Sequence, residues 1–489
     1  MPRAPLLLEV YLRQWLGERS RRAGRRVELG VVPEEELDRW VARGVTHLWL
    51  MGAWTTGPAS REVSGASPEL RRAYDDALPG WTDADVCGSP YAIQAYSVPE
   101  AYGGDDGLAR LRARLADRGI KLVLDFVPNH TALDHPLALE RPELFVAGAG
   151  PGDAARVGGR WLSHGKDPNY PGWTDTLQLD YRRAEARRAA TEALSSIAER
   201  CDGVRCDMAM LALSDVFART WAHAPPTPRE PGPEFWEAAI AEVRARHPGF
   251  LFLAEAYWGL EARLCELGFD VAYDKHLTDL LHRGDWGVAA HLRALGPANE
   301  ARAHFLENHD EPRAAAISPL ARHRAAALLT LSLPGVRFVH DGQREGRRVF
   351  ARIQLSRRAE EPVDAEIAAM YDELARALAS ARVGDGGWSL VEAAPAWHDD
   401  PTNGAFALLT WSSPDDPSRF TLVVTSQSTG RARCWARLAW PGLRGRMWAL
   451  EDLLSDERYV RDGDELAARG LYLDVGAHAA QLFVFRALG

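Results

Sequence analysis

Lys121-Leu-Val-Leu-Asp-Phe-Val-Pro-Asn-His130 is a short apolar run that closes on a carboxylate and an Asn-His pair. Three other runs end in the same way: Gly203-Val-Arg-Cys-Asp207, Phe250-Leu-Phe-Leu-Ala-Glu255 and Phe305-Leu-Glu-Asn-His-Asp310. Buried parallel strands read as continuous hydrophobic stretches. A parallel barrel places its chemistry at the C-terminal ends of those strands. Apolar strand bodies tipped with acids are the sequence form of such a site.

Working outward, eight strand candidates fall at 6–11, 46–51, 121–126, 203–206, 250–254, 269–272, 303–306 and 336–339. Amphipathic segments lie between them, at 105–118, 184–200, 234–246 and 320–333, with Leu108, Leu111 and Leu115 forming one stripe. Strands alternating with helices imply parallel βαβ units, and eight such units close into a (β/α)8 TIM barrel. A doubly wound sheet is the competing architecture, but no G-x-G-x-x-G follows the first strand. Two long connections, 52–104 and 131–181, interrupt the alternation, and loops of that length are usually functional. After about residue 385 the pattern changes to Phe406–Trp411, Phe420–Thr425, Cys434–Leu438 and Gln481–Phe485, read as a C-terminal antiparallel β-sandwich. The expected organisation is therefore a catalytic barrel over 1–130 and 182–385, an insertion subdomain over 131–181 covering the cleft, and a sandwich over 386–489.

The chain has 489 residues, 46% of them apolar and 26% charged, with a formal net charge of −10. An acidic balance argues against nucleic acid or an anionic membrane as partner. Five scattered cysteines (Cys87, Cys201, Cys206, Cys265, Cys434) include no C-x-x-C pair, so neither a zinc site nor a disulfide scaffold is supported. The apolar stretch near the N-terminus is short and broken by Glu9, and no run approaches the length of a membrane span. A cytoplasmic location is expected.

Side chains at i and i+2 of a strand share a face, so Arg205 and Asp207 point the same way. A guanidinium beside a carboxylate favours the ionised form, which a nucleophile needs; a structural Arg–Asp pair inside the barrel would look the same. Glu255 stands beside Tyr257 and Trp258, which could keep its surroundings apolar. Desolvation raises a carboxyl pKa, as a general acid requires; the bland alternative is a strand-end Glu bonded to Arg or backbone. Asp125, His130, His309 and Asp310 could bond ring hydroxyls, or they could belong to ordinary strand-end turns. The histidines sit on separate strands, without an H-x-x-x-H or H-E-x-x-H pair that would favour a transition metal.

With these blocks in this order, the chain resembles the α-amylase family (glycoside hydrolase family 13). Asp125–His130 looks like that family's first conserved block, Gly203–Asp207 the second, Glu255 the third and Asn308–Asp310 the fourth. Trp173–Asp180 looks like the block late in the family's insertion domain, and Ser89–Tyr96 like the segment carrying an aromatic platform. The resemblance implies that Asp207 is the nucleophile forming a covalent glycosyl–enzyme, Glu255 the acid/base and Asp310 a transition-state stabiliser. Arg205 would orient Asp207, while Tyr91, Asp125, His130, Trp258 and His309 would contact sugar. Ala95 stands where many relatives have Asp, and Met208-Ala-Met-Leu211 where amylases acting on starch often carry Lys-His. Short α-gluco-oligosaccharides are therefore the expected substrates, cleaved with retention. Transglycosylation or isomerisation by the same residues is the nearest alternative, and a non-catalytic sugar-binding or assembly module is a more distant one. No cofactor is required by this reading; Asn129 matches a position that ligates calcium in some members.

Overall fold

A computed structural model describes residues 5–225, 227–412, 415–440 and 442–488. Eight strands form one closed barrel: β1 Leu6–Tyr11, β2 His47–Met51, β3 Lys121–Phe126, β4 Gly203–Cys206, β5 Leu251–Ala254, β6 Val271–Tyr273, β7 Arg302–His304 and β8 Val336–His340. They follow one another around the barrel in chain order. The pairings of β1 with β2, β2 with β3, β3 with β4, β4 with β5, β5 with β6 and β7 with β8 are parallel. The strands read from the sequence are these strands, shifted by a residue or two at their ends. β6 begins two residues late, at Val271, and β7 stops two residues early, at His304, so that Phe305 and Leu306 lie in the following connection although both are buried.

Two compact units make up the chain: Leu7–Tyr273 with Val349–Glu360, and Met1–Leu6 with Asp274–Arg348 and Glu361–Gly489. In the first, the helix Gly104–Ala116 buries its Leu108, Leu111 and Leu115 stripe. The connection 52–104 is more ordered than a loop. It holds helices Pro58–Ala66 and Pro68–Ala77, each opened by a proline in its first turn, where the missing N–H costs nothing. Tyr74, Leu78, Val86 and Leu355 form a small core beneath it. In the segment after β3, His130–Ala132 pairs antiparallel with Thr176–Gln178, and Ala154–Val157 with Arg160–Ser163.

In the second unit, a six-stranded antiparallel sheet has the order Gly387–Leu390, Phe406–Ser412, Arg419–Ser426, Ala480–Ala487, Met447–Asp452, Arg458–Asp462. A three-stranded sheet holds Glu392–Pro395, Ala432–Arg437 and Leu471–Val475. Phe406, Leu408, Phe420, Leu422 and Phe485 from the first share one core with Cys434, Leu471 and Leu473 from the second. That shared core makes a sandwich. The helix Leu320–Ser332 accepts the Trp411 indole N–H on the Ser332 carbonyl at 2.8 Å. Among the described residues, no helix is long and apolar enough to cross a membrane.

Asp274 ties several elements of this unit together. Its amide donates to the Ala303 carbonyl at 3.0 Å, and its carboxylate caps the helix Lys275–Arg283 through Leu277 N at 3.2 Å. The same carboxylate lies 2.7 Å from His291 Nε2 and 3.1 Å from His304 Nδ1. Burial alone would raise its pKa, but the bonds from His291 and His304 prevail and hold it well below the usual carboxylate range. A carboxyl depressed on folding stabilises the fold above its unfolded pKa and loses that contribution as pH falls through the folded value. Asp274→Asn is expected to cost about 3 kcal/mol at neutral pH and much less in strong acid, measured by urea unfolding across pH.

Candidate active site

At the C-terminal end of β4, the chain passes from Arg205 to Asp207 and then into a left-handed residue, Met208, at φ +43°. A side chain other than glycine seldom takes this conformation. Two bonds hold it. Met208 N–H donates to Glu255 Oε2 at 2.6 Å, and Ala209 N–H to the Glu255 carbonyl at 3.0 Å. The end of β4 is thereby stitched to the end of β5. The following Ala209, Met210, Leu211 and Ala212 are all buried, so the turn is packed from beneath.

Arg205 is completely buried. Its Nη1 donates to Asp207 Oδ1 at 2.6 Å and its Nη2 lies 2.8 Å from Glu255 Oε2. The guanidinium sits 5.2 Å from the ring centres of both Trp49 and Tyr91 and 5.8 Å from that of Tyr273, where cation–π attraction replaces some of the lost hydration. Burial opposes its charge. Glu255, the neighbouring tyrosines and Asp207 outweigh that cost, so the guanidinium is held firmly protonated. Arg205, Asp207 and Glu255 are thus one connected group, with Tyr91 against it.

Glu255 departs from expectation. Its neighbours do not make an apolar pocket: Tyr257 Oη donates to Oε1 at 2.7 Å, while Met208 N–H and Arg205 address Oε2. Trp258 is 46% exposed and left-handed at φ +64°, so it shields the acid less than the sequence suggested. Asp125 also has protein donors on both oxygens. Trp49 Nε1 reaches Oδ1 at 3.1 Å and Gly52 N–H reaches Oδ2 at 2.8 Å, which anchors the connection after β2. Gly52 has φ +70°, and a Cβ there would lie 2.8 Å from the Tyr11 ring, so a side chain is excluded.

His130 is buried beside Trp173, with ring centres 5.1 Å apart. Burial pushes its pKa down to about 4 against the pull of Asp175 and a bond to the Tyr91 backbone. Its imidazole is neutral at pH 7 and keeps a single ring proton. Asn129 Oδ1 accepts Gln178 Nε2 at 3.0 Å, and Asp175 Oδ2 accepts the Ser60 hydroxyl at 2.6 Å. Asp167 Oδ1 accepts Asn169 N–H at 2.6 Å and Tyr170 N–H at 3.1 Å. Among the described residues no group of three or more His, Cys, Asp or Glu could hold a metal.

The second unit carries the remaining candidates. Asn308 Oδ1 accepts the amides of Asp310 at 2.9 Å and Glu311 at 3.0 Å, an Asx turn that presents an exposed Asp310. His309 Nε2 lies 3.0 Å from Asp310 Oδ2. Below them Glu307, Arg313 and His340 form a buried network, with Arg313 Nη1 2.7 Å from Glu307 and 2.9 Å from His340 Nδ1. Sequence reasoning missed this network, together with Met208 N–H and the Tyr257 hydroxyl. The i, i+2 spacing of Glu255 and Tyr257 was a usable signal for the last.

Residues 82–141 match the family model for the α-amylase catalytic domain. The chain is 24% identical over 351 residues to α-amylase MalA of Haloarcula japonica, covering 70% of this chain and 44% of that one. It is 29% identical over 193 residues to an α-1,4-glucan:maltose-1-phosphate maltosyltransferase of Pseudomonas aeruginosa, covering 38% of this chain and 25% of that one. The chain therefore spans less than half the length of either curated relative. In structure it is similar to the maltogenic α-amylase AmyB of Thermotoga neapolitana, with a TM-score of 0.68, 18% identity and 99% of each chain covered. The trehalose-6-phosphate hydrolase of Bacillus licheniformis superposes with a TM-score of 0.64 at 14% identity, with 99% of each chain covered. The matched segment and the sequence relatives make the chain similar to α-amylases and their maltosyltransferase relatives, and the solved structures share its fold.

With its pKa lowered to about 4, the His130 imidazole is expected to show no titration between about pH 8 and about pH 5. Ring-proton NMR shifts that move through pH 6.5 would contradict its burial.

Proposed function

We propose that the protein is a retaining glycoside hydrolase that cleaves α-glucosidic bonds in short α-gluco-oligosaccharides. The observation that carries this reading is the bridging of Asp207 and Glu255 by the one buried guanidinium of Arg205. Carboxylates held on the two terminal nitrogens of one planar cation leave little room between them for a water. That favours a retaining pair, about 5–5.5 Å apart, over an inverting pair at about 6.5–9.5 Å.

In this reading Asp207 attacks the anomeric carbon. The bond to the leaving oxygen breaks as Glu255 gives that oxygen its proton. A glycosyl ester on Asp207 results, and Glu255 is left as a carboxylate. Water then delivers its hydroxyl to the anomeric carbon and its proton to Glu255, which frees Asp207. Asp310 binds ring hydroxyls in the oxocarbenium-like transition state, with His309 and neutral His130 as further donors. Tyr91 and Trp258 supply apolar ring surface to the sugar, and Asp125 positions the connection after β2. No step passes through a metal. The five cysteines, all free, fit a reducing compartment, and we place the protein in the cytoplasm.

Similarity to maltosyltransferases favours a second reading, in which a sugar hydroxyl replaces water in the second step. Incubation with maltotriose alone separates the two. Products shorter than the substrate mean hydrolysis, and longer ones mean transfer.

Asp207→Asn keeps an oxygen for Arg205 and is expected to lower kcat by about four orders of magnitude or more with melting little changed. Glu255→Gln is expected to lose about a hundredfold or more on maltotriose, and far less on a nitrophenyl α-glucoside, whose leaving group needs no proton. An active Asp207→Asn protein would refute the assignment.

A further inference from the structure

A general acid must accept a proton somewhere, and the geometry around Glu255 restricts where. Oε2 faces the Met208 amide at 2.6 Å and the Arg205 guanidinium at 2.8 Å. Both neighbours are donors with no acceptor capacity. A proton on Oε2 would point at other protons inside a buried site. Oε1 faces the Tyr257 hydroxyl at 2.7 Å, and a hydroxyl can donate or accept. The proton therefore belongs on Oε1, with the Tyr257 hydroxyl turned to accept it.

We propose that Tyr257 is a positioning residue that confines the proton of Glu255 to Oε1 and sets the pH at which that proton is held. The inference rests on the reading of Glu255 as proton donor. The chain is built to keep Tyr257 there. Trp258 and Gly259, at φ +64° and +74°, turn it back on itself, and Leu260 N–H closes the turn on the Tyr257 carbonyl at 3.2 Å. Two successive left-handed residues are the pattern of a type I′ turn, and tryptophan is a poor occupant of one. The strain is tolerated immediately after the residue that touches Glu255.

During the first half-reaction the substrate oxygen takes over the Oε1 proton. The Tyr257 hydroxyl then rotates to donate to the carboxylate left behind. In the second half-reaction water returns a proton to Oε1, and the hydroxyl rotates again. Tyr257 keeps its own proton throughout. Arg205, Asp207 across the guanidinium, and Tyr273, which bonds Arg205 Nε at 3.3 Å and is electrostatically coupled to Glu255, also face it in this unit. Arg205 addresses Oε2, while the Tyr257 hydroxyl addresses Oε1.

The test is the pH profile of kcat/KM on maltotriose for wild type and Tyr257→Phe. Removing the donor that favours the carboxylate is expected to move the alkaline limb up by about one pH unit, a tenfold change in proton affinity. 3-Fluorotyrosine at position 257, a stronger donor, is expected to move it down. A Tyr257→Phe profile lowered equally at every pH, with its limb unmoved, would overturn the proposal in favour of a packing role. Direct titration of the 13C-labelled Glu255 carboxyl by NMR in both proteins reads the same shift without turnover. If wild type cleaves no glucoside, the reading of Glu255 as acid fails, while this titration still decides whether Tyr257 governs its proton. Matching melting temperatures confirm that both proteins are folded.

Discussion

A fully buried guanidinium is expensive to desolvate, and Arg205 is tolerable only because two carboxylates and three aromatic rings surround it. The dependence runs both ways. Asp207 and Glu255 come from different strands and would repel each other without the cation between them. Arg205 thus fixes the positions of both acids with one planar group, and planarity gives each a defined direction. Trp49 lies in β2, Tyr91 in the long connection after it, and Tyr273 ends β6, so barrel strands and that connection together supply the box.

Around this centre the backbone does unusual work. Met208 and Trp258 are both left-handed, and each lies within three residues of one of the acids. One lends its amide to Glu255, and the other follows the tyrosine that bonds it. Strained non-glycine residues persist where surrounding contacts over-determine them, and they gather at functional sites. Here both serve the same carboxylate, that of Glu255, whose two oxygens are thereby oriented from two sides.

Much of this was legible in the chain. The barrel strands could be read because buried parallel strands are continuous apolar runs, and Leu108, Leu111 and Leu115 betrayed their helix by spacing. The shared face of Arg205 and Asp207 followed from strand geometry alone. What stayed hidden depended on partners remote in sequence. Nothing in the local pattern shows that Arg205 also reaches Glu255, that Trp49 and Gly52 occupy Asp125, or that Glu9, which seemed merely to interrupt an apolar run, is fully buried in β1. The apolar setting expected for Glu255 failed because a tyrosine was counted by its ring and not by its hydroxyl. In the C-terminal sheets Arg458–Asp462 escaped notice because it is an edge strand with exposed Arg and Asp, whose alternation is weak.

The shared cation also constrains how such a protein can change over generations. Losing either acid alone strands a desolvated positive charge, and losing the arginine alone leaves two negative charges facing each other. Drift away from this set is thus discouraged one step at a time and becomes tolerable when positions 205, 207 and 255 change together. Homologues that retain two of the three would be rarer than those with all or none.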